Sequence, residues 1–256
     1  MIVAGDFTTL AADYSKYRVG FDEDVLSALL GLLAGKAPTL EVADVGAGTG
    51  IWTRMVAARG CRVTAVEPNA AMRGEGEAAS TGTSIAWREG QAEQIPLPDA
   101  SCDWLTMASS FHWADFEKAL SEFHRVLRPG GWFTCLWNPR SVETNPITAD
   151  IEAMIGKTVP EMTRRSSGRS QFTSDLTARL PSTGEFAPPI YIEGRSTIDM
   201  PREQFLGVWD SVNDIPVQAG PERWEQIRRF IRQRTEGEST IASAYVTRAW
   251  SSRRLG

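Results

Sequence analysis

The first half of the chain alternates short apolar runs with longer stretches whose apolar residues recur at helical spacing. Asp22 can cap a first helix, in which apolar side chains recur every three or four residues, and Gly35 is placed to end it. Alternation of this kind predicts an α/β unit with a parallel sheet. Five strands are predicted in this half, at residues 40–45, 62–66, 84–87, 103–108 and 132–137.

In the second half of the chain, polar segments and helices replace the regular alternation. A sixth strand is predicted at residues 188–193 and a seventh at residues 243–250. Two helices are predicted between them, one begun by Asp199 with Pro201 and one begun by Pro221, because an acidic cap or a proline favours a helix start. These helices interrupt the sheet.

Composition and charge exclude several classes of protein. The 256 residues carry 27 Lys and Arg against 32 Asp and Glu, a net charge of −5, without the basic excess that nucleic-acid binding usually needs. The longest apolar run, residues 28–34, is much shorter than the roughly 20 residues that span a bilayer. The first residues lack the basic and apolar regions of a secretory signal. We therefore expect a cytoplasmic protein without a nucleic-acid or membrane partner.

The cysteines and histidines predict no metal centre. Cys61, Cys102 and Cys135 are widely separated, and His112 and His124 do not stand at metal-ligand spacing. We interpret the three cysteines as reduced structural thiols.

The strongest local signal is a glycine-rich turn at residues 42–50, with the sequence VADVGAGTG. Gly46, Gly48 and Gly50 alternate at the end of the first predicted strand and precede a predicted helix. Glycines permit a tight turn and a close approach of ligand to backbone, and a helix N-terminus presents free N–H groups. A dinucleotide fingerprint, G-x-G-x-x-G, needs a glycine where this chain has Ile51. The spacing therefore argues against NAD.

Glu67 ends the second predicted strand, 21 residues after Gly46. A carboxylate at this place can accept hydrogen bonds from both vicinal hydroxyls of a ribose. The alternative is an exposed acid at a strand end, but its position beside the glycine turn favours nucleoside binding.

Four motifs follow one another in order: VADVGAGTG, VTAVEPN, EGQAEQIPLPDASCDWL and RVLRPGGWF. Over about residues 10–140 they resemble the class I S-adenosylmethionine (SAM)-dependent methyltransferases, especially the small-molecule group with the ubiquinone-biosynthesis and trans-aconitate enzymes. The resemblance implies a doubly wound, Rossmann-like α/β fold with a seven-stranded, mostly parallel sheet and a helical cap. Residues 1–140 are expected to hold a lid helix and the SAM-binding core. Residues 141–256 are expected to hold the cap and the last two strands of the same structural domain.

The resemblance also implies which residues contact the cofactor. Gln91 departs from the acidic residue of the family, although its carbonyl can still accept from the adenine amino group, and a neighbour is the alternative contact. Tyr14 and Arg18 match a Tyr-x-x-x-Arg pattern that closes over the cofactor in related enzymes, where Arg18 can pair with the methionyl carboxylate; an ordinary surface helix is the alternative. The implied cofactor residues are Tyr14, Arg18, Gly46, Ala47, Gly48, Gly50, Glu67, Pro68, Met72, Gln91, Ala92, Glu93 and Ser109.

The methyl acceptor is expected at the same edge of the sheet, because open α/β sheets bind ligands at the carboxyl ends of their strands. His112 is a candidate base and, with Tyr14, a candidate catalytic residue; orienting the substrate is at least as good a role for it. Trp137 fits the core and the pocket wall equally well. The expected substrate-facing residues are Phe111, His112, Trp113, Trp137, Asn138, Arg140, Arg164, Arg165, Arg169, Phe205 and Trp209.

The implied reaction moves a methyl group from SAM to an oxygen or nitrogen of a small molecule and releases S-adenosylhomocysteine (SAH). The arginines of the cap suggest an anionic metabolite, which would make the protein a carboxyl methyltransferase. Two other functions stay open at this point. An NAD-linked oxidoreductase is disfavoured by Ile51 and by the Arg-Pro-Gly-Gly turn at residues 128–131, and a non-catalytic SAM-binding module would carry the same cofactor motifs.

Overall fold

The computed structural model describes residues 5–33, 40–163 and 171–256. A seven-stranded sheet forms its centre. The strands are β1 (Glu41–Val45), β2 (Arg62–Val66), β3 (Ala86–Arg88), β4 (Cys102–Ala108), β5 (Leu127–Trp137), β6 (Ile190–Pro201) and β7 (Thr240–Arg253). They lie in the order β3-β2-β1-β4-β5-β7-β6; β1 to β5 are parallel, and β7 is antiparallel to both of its neighbours. The predicted doubly wound, mostly parallel sheet is confirmed.

Helices cover the sheet and build the cap. Asp22 caps the second helix as predicted, because its side chain accepts hydrogen bonds from the backbone N–H groups of Asp24 and Val25, each at 3.0 Å. The helices are α1 (Ala11–Tyr17), α2 (Glu23–Leu32), α3 (Ile51–Ala58), α4 (Ala70–Ala79), α5 (Phe116–Val126), α6 (Pro146–Thr158), α7 (Gln171–Ser174), α8 (Leu176–Arg179), α9 (Arg202–Asp210) and α10 (Asp214–Arg234).

The last two strands are longer than their apolar patterns predict. β6 continues through polar positions to Pro201, since it pairs with β7 along its whole length at the edge of the sheet. Asp199, expected at the start of a helix, therefore lies in β6, and α9 begins at Arg202. The helix expected at Pro221 is the second segment of α10, which bends at Gly220, where φ is +72°. Gly35, the predicted helix end, lies outside the described residues.

Three apolar clusters account for the buried core. Alternate residues of β4 enter different clusters: Leu105 and Met107 pack on one face of the sheet, and Trp104 packs on the other. This pattern is typical of a parallel strand buried on both faces. The third cluster fills the cap, between α6, α9, α10 and the cap ends of β6 and β7. Within the described part of the chain, no helix combines the length and the apolar character needed to cross a membrane.

Candidate active site

A cavity of about 990 Å³ lies where the carboxyl ends of β1, β2, β4 and β5 meet the N-terminal segment and the cap. Its size is at the upper end of ordinary ligand sites, which span roughly 300 to 1,000 Å³. We call the part around the glycine turn and Glu67 the donor side. The opposite part, the cap side, is lined by Arg140, Val142, Glu152, Val208, Val212, Asn213, Asp214 and Tyr245.

The glycine turn on the donor side is held by backbone geometry. Gly46 has φ of +65°, and its N–H donates to the Val66 carbonyl at 2.8 Å, which ties the end of β1 to β2. A Cβ atom on Gly46 would lie 2.7 Å from the Ser110 side chain. Gly48, with φ of +59°, also lines the cavity together with Ala47. Only glycine fits Gly46 without strain, because both its backbone angle and its neighbour exclude a side chain.

Gly50 has a different role from its two neighbours. It has φ of +74° just before α3, and a Cβ atom there would lie 2.8 Å from the Trp87 ring. It does not line the cavity. Gly50 therefore lets Trp87 pack beneath the turn, and the implied direct cofactor contact is not seen for this residue.

Glu67 is oriented by the same turn. Its Oε2 accepts from the Gly48 N–H and its Oε1 from the Asn69 N–H, both at 2.8 Å. Burial raises the pKa of the Glu67 carboxyl, and the two backbone hydrogen bonds and Arg73 partly offset that effect. Each oxygen keeps further acceptor capacity, so the carboxylate is placed to accept from two adjacent hydroxyls at the cavity.

Asp44 supports the donor side from below, a role that the sequence patterns did not single out. Its carboxylate is fully buried and accepts from the Thr53 hydroxyl at 2.5 Å and the Thr106 hydroxyl at 2.8 Å. Burial raises the pKa of Asp44 to about 6 despite these bonds. The residue thus joins β1 to α3 and β4 immediately below the glycine turn.

The predicted adenine-side residues all reach the cavity, namely Pro68, Met72, Gln91, Ala92 and Glu93. Glu93 also has a structural contact, since its Oε1 accepts from the Asp115 N–H at 2.7 Å, next to the start of α5. Gln91 lies on the cavity wall, where its amide can meet an exocyclic amine.

The N-terminal segment forms one wall of the cavity. Tyr14 and Arg18 both line it, with the Arg18 guanidinium carbon 4.9 Å from the centroid of the Tyr14 ring. Phe7 packs edge-on against Tyr14, with ring centroids 5.8 Å apart. The side chain of Arg18 also donates to Ser211 of the cap. The predicted Tyr-x-x-x-Arg pair is therefore on the cavity wall and in contact with the cap.

The segment after β4 directs some of its residues to the cavity and others to the apolar core. Ser109, with φ of +56°, and Trp113 line the cavity, as does Ser110, which sequence reasoning did not select. Phe111 instead is fully buried in the aromatic core beside Phe133, so the prediction that it faces the substrate is wrong.

His112 points away from the cavity. The Trp137 indole N–H donates to His112 Nδ1 at 3.2 Å, and the His112 ring lies against Trp113 at an interplanar angle of 46°, with centroids 4.7 Å apart. Burial lowers the pKa of His112 to about 4, and Nε2 is buried without a hydrogen-bond partner among the described residues. This network assigns the proton to Nε2 of a neutral imidazole. The ring is therefore not placed to take a proton from a molecule in the cavity, and the structure does not support the base assignment.

The residues after β5 combine structural and cavity-facing roles. Trp137 belongs to the core and also lines the cavity, so both interpretations of it hold. Asn138 lines the cavity but is held on both sides, since its Nδ2 donates to the Gly20 carbonyl and its Oδ1 accepts from the Thr247 hydroxyl. Arg140 lines the cap side, with its guanidinium carbon 3.6 Å from the centroid of the Trp209 ring.

Two predicted cap residues do not reach the cavity. Phe205 and Trp209 are each 1% exposed and pack in the cap core. They belong to the apolar cluster of the cap, which also contains residues of α6 and α10, and they do not line the cavity. Arg164, Arg165 and Arg169 lie outside the described residues. The cap residues that do line the cavity, such as Val208 and Asn213, carry no recognisable motif and were missed for that reason.

Comparisons with known proteins relate the first part of the chain to methyltransferases. Residues 43–135 match a family model described as a methyltransferase domain. The ubiquinone/menaquinone biosynthesis C-methyltransferase UbiE of Rubrivivax gelatinosus is 44% identical over 96 residues, which are 37% of this chain and 38% of that protein. The chain spans about half the length of other curated relatives that it matches.

Solved structures share the fold over nearly the whole chain. A protein from Anaeromyxobacter dehalogenans named as a candidate type II methyltransferase has a TM-score of 0.62 and 22% identity, covering 93% of this chain and 99% of that one. Geranyl diphosphate methyltransferase in complex with SAM has a TM-score of 0.51 and 18% identity, covering 99% of this chain and 93% of that one. At these identities the likeness concerns the fold. Sheet order, motifs and family match together identify the chain as having the class I SAM-dependent methyltransferase fold, with a methyltransferase domain at residues 43–135.

Proposed function

We propose that the protein transfers a methyl group from SAM to a nucleophilic atom of a small molecule. The observation that carries this proposal is a single cavity. It extends from the glycine turn and Glu67 to the residues of the cap side, so a cofactor and an acceptor can lie next to each other in it. SAM supplies an electrophilic methyl group on a sulfonium. The protein's task is then to align the acceptor with that methyl group and to exclude water.

The donor side fits SAM in shape and polarity. The turn at Gly46 and Gly48 admits a close approach, and the Glu67 carboxylate suits a ribose. Thr49 and Trp52 also line the cavity, and the Thr49 hydroxyl and the Trp52 indole N–H are buried without a hydrogen-bond partner among the described residues. Buried polar groups normally have a hydrogen-bond partner. The two unsatisfied groups therefore support a polar ligand at this place, such as the methionyl part of SAM.

Calorimetry with SAH tests the donor assignment. We expect SAH to bind and NAD not to bind; the reverse result would favour the oxidoreductase alternative. Gly46→Ala should weaken SAH binding roughly 30-fold, since an alanine is strained at positive φ and meets Ser110. Gly31→Ala is the matched control, because a Cβ atom at this helical glycine meets nothing within 4 Å. Equal SAH affinities in the two variants would contradict the proposal.

The acceptor atom is proposed to be an oxygen or nitrogen, with an ionised carboxylate as the preferred case. A carboxylate needs no base, which agrees with the position of His112 away from the cavity. Arg140 supplies a cation on the cap side, and its stacking on Trp209 holds the guanidinium plane in place. Glu152 and Asp214 line the same side, so hydrogen-bond donors on the acceptor are also accommodated.

An acceptor screen that detects SAH release tests turnover and separates an enzyme from a SAM-binding module. The panel should include carboxylates, phenols, amines and carbon nucleophiles, because the Rubrivivax relative is named as a C-methyltransferase. For an anionic acceptor, Arg140→Gln should raise KM at least tenfold and leave SAH affinity within twofold. The exposed Arg195→Gln on β6 is the control. Turnover restricted to neutral or cationic acceptors would refute the carboxylate assignment.

A further inference from the structure

The junction between α9 and α10, residues 211–213, is bonded to the N-terminal segment at both of that segment's ends. We call residues 5–18 the N-terminal strap. At one end, the Gly5 N–H donates to Asn213 Oδ1, and Asn213 Nδ2 donates to the Asp6 carbonyl, each at 2.9 Å. At the other end, Arg18 donates to Ser211. A short cap segment thus holds the strap that lies over the cavity.

The Ser211 contact fixes the guanidinium of Arg18. Ser211 is fully buried, and its hydroxyl donates its one proton to the Val208 carbonyl at 2.8 Å. The same oxygen therefore acts as an acceptor toward Arg18 Nε at 2.9 Å, and the Ser211 carbonyl accepts from Arg18 Nη2 at 3.2 Å. Two hydrogen bonds thus hold the guanidinium of Arg18, a residue that also lines the cavity. The Tyr14 ring lies against the guanidinium as well.

Close packing fixes the strap against α9. A Cβ atom on Gly207 would lie 2.3 Å from the Tyr17 ring, so α1 rests directly on the backbone of α9 at this point. The strap also reaches the donor side, where Asn69 Nδ2 donates to the Thr8 hydroxyl at 2.9 Å. It therefore bridges the donor side and the cap.

The same stretch of the cap lines the acceptor space. Val208, Val212 and Asn213 face the cavity, whereas Ser211 faces Arg18. The Arg18 contact and the acceptor side therefore share one seven-residue segment, 208–214.

We propose that Ser211 is a positioning residue for the cofactor, acting through Arg18, and that the cap junction makes the acceptor side respond to cofactor binding. The proposal rests on the proposed function, since it takes the ligand under the strap to be SAM or SAH. Because the strap is bonded to the cap junction, cofactor bound against the strap stabilises that junction. Acceptor affinity then rises when cofactor is bound, and the coupling is reciprocal.

A double-mutant cycle read by SAH calorimetry tests the positioning role. We expect Ser211→Ala to weaken SAH binding about fivefold to tenfold. The substitution removes the hydroxyl that accepts from Arg18 Nε, so the guanidinium is held less firmly. In an Arg18→Met background the same substitution should change SAH affinity by less than twofold, because its effect passes through Arg18. An equal loss in both backgrounds would overturn the positioning role.

Ser252→Ala is the matched control, since Ser252 is equally buried in β7 and its hydroxyl has no hydrogen-bond partner among the described residues. It should leave SAH affinity unchanged, because its hydroxyl contacts neither Arg18 nor the cap junction. If wild-type protein binds no SAH, the proposed function fails and this proposal fails with it. If wild type binds SAH and Ser211→Ala binds it equally well, only the present proposal fails.

Amide hydrogen exchange tests the coupling to the cap. At saturating SAH, wild type should show slower exchange both at the glycine turn and at residues 208–214. In Asn213→Ala, saturating SAH should still protect the glycine turn, but its protection of residues 208–214 should fall at least threefold. Equal protection of the cap segment in both proteins would refute the coupling.

Discussion

The two sides of the cavity are built by different means. The donor side is shaped mainly by backbone: Gly46 and Gly48 have positive φ, and Glu67 is oriented by two backbone N–H groups. The cap side is shaped by side chains that come from separate segments, such as Arg140 and Val208. A backbone-defined site tolerates few sequences and leaves a motif, whereas a side-chain-defined site can change residue by residue.

The contrast depends on the cap having its own apolar core. The prediction with the largest expected effect, a loss of stability on truncating a side chain of that core, tests this point. Phe205 is buried in this core beside Trp209, with ring centroids 6.3 Å apart. Phe205→Ala should lower the free energy of unfolding by about 3 to 5 kcal/mol, the range for removing a buried aromatic ring. SAH affinity, measured well below the unfolding temperature, should stay within twofold.

Ile190→Ala provides the comparison, because Ile190 is a large apolar residue that is 42% exposed on the edge strand. Its stability cost should remain below about 1 kcal/mol. If Phe205→Ala instead left stability intact and raised the acceptor KM, Phe205 would contact the acceptor after all, and the separation between cap core and cap side would not hold.

The same contrast decides what could be predicted from the sequence. Gly46 and Glu67 were identifiable because a strand end, a glycine spacing and an acid at the next strand end are local features. The apolar face of α9 was also predictable, but helical spacing alone does not show whether that face contacts a ligand or other parts of the protein. The sequence therefore predicts Phe205 at the cavity, whereas the structure places it in the apolar cluster of the cap together with residues of α6 and α10.

His112 shows a second limit of the same kind. Its place after β4 was predictable, yet the direction of its ring depends on Trp137, which is 25 residues away in sequence. Ser211 and Asn213 could not be found at all, since their partners lie about 200 residues earlier in the chain. Long-range side-chain bonds of this type leave no spacing signal in a single sequence.

His112 is buried behind Trp113 and Trp137, which line the cavity, and its titration gives the second prediction. Burial lowers the pKa of His112 from 6.5 to about 4 in the folded protein. As pH falls below 6.5, the unfolded chain gains a proton that the folded chain does not, so stability is lost between about pH 6.5 and pH 4. One histidine with this shift accounts for about 3 kcal/mol. Denaturant unfolding at pH 7 and pH 4 measures the loss.

His112→Asn keeps an acceptor for the Trp137 indole N–H and removes the titration. The variant should therefore lose less stability than wild type over this pH range. Its kcat should stay within about threefold of wild type at pH 7.5. A fall of 100-fold or more with SAH affinity preserved is the signature of a lost general base, and that result would restore a catalytic histidine to the acceptor side.

The prediction with the smallest expected effect compares two contacts between the strap and the cap, one buried and one at the surface, by their influence on SAH affinity. Lys16 on α1 and Glu203 on α9 form an ion pair at 3.2 Å, but their side chains are 62% and 78% exposed. Water and salt screen such a pair, so Glu203→Gln should change SAH affinity by less than twofold at 150 mM salt. Ser211→Ala, which removes a buried contact between the same elements, should have the larger effect. If Glu203→Gln weakened SAH binding as much as Ser211→Ala, and the loss disappeared at 1 M salt, the strap would be held to the cap by surface charge. The donor side and the cap would then be linked by a contact that ionic strength can switch off, instead of by the buried junction.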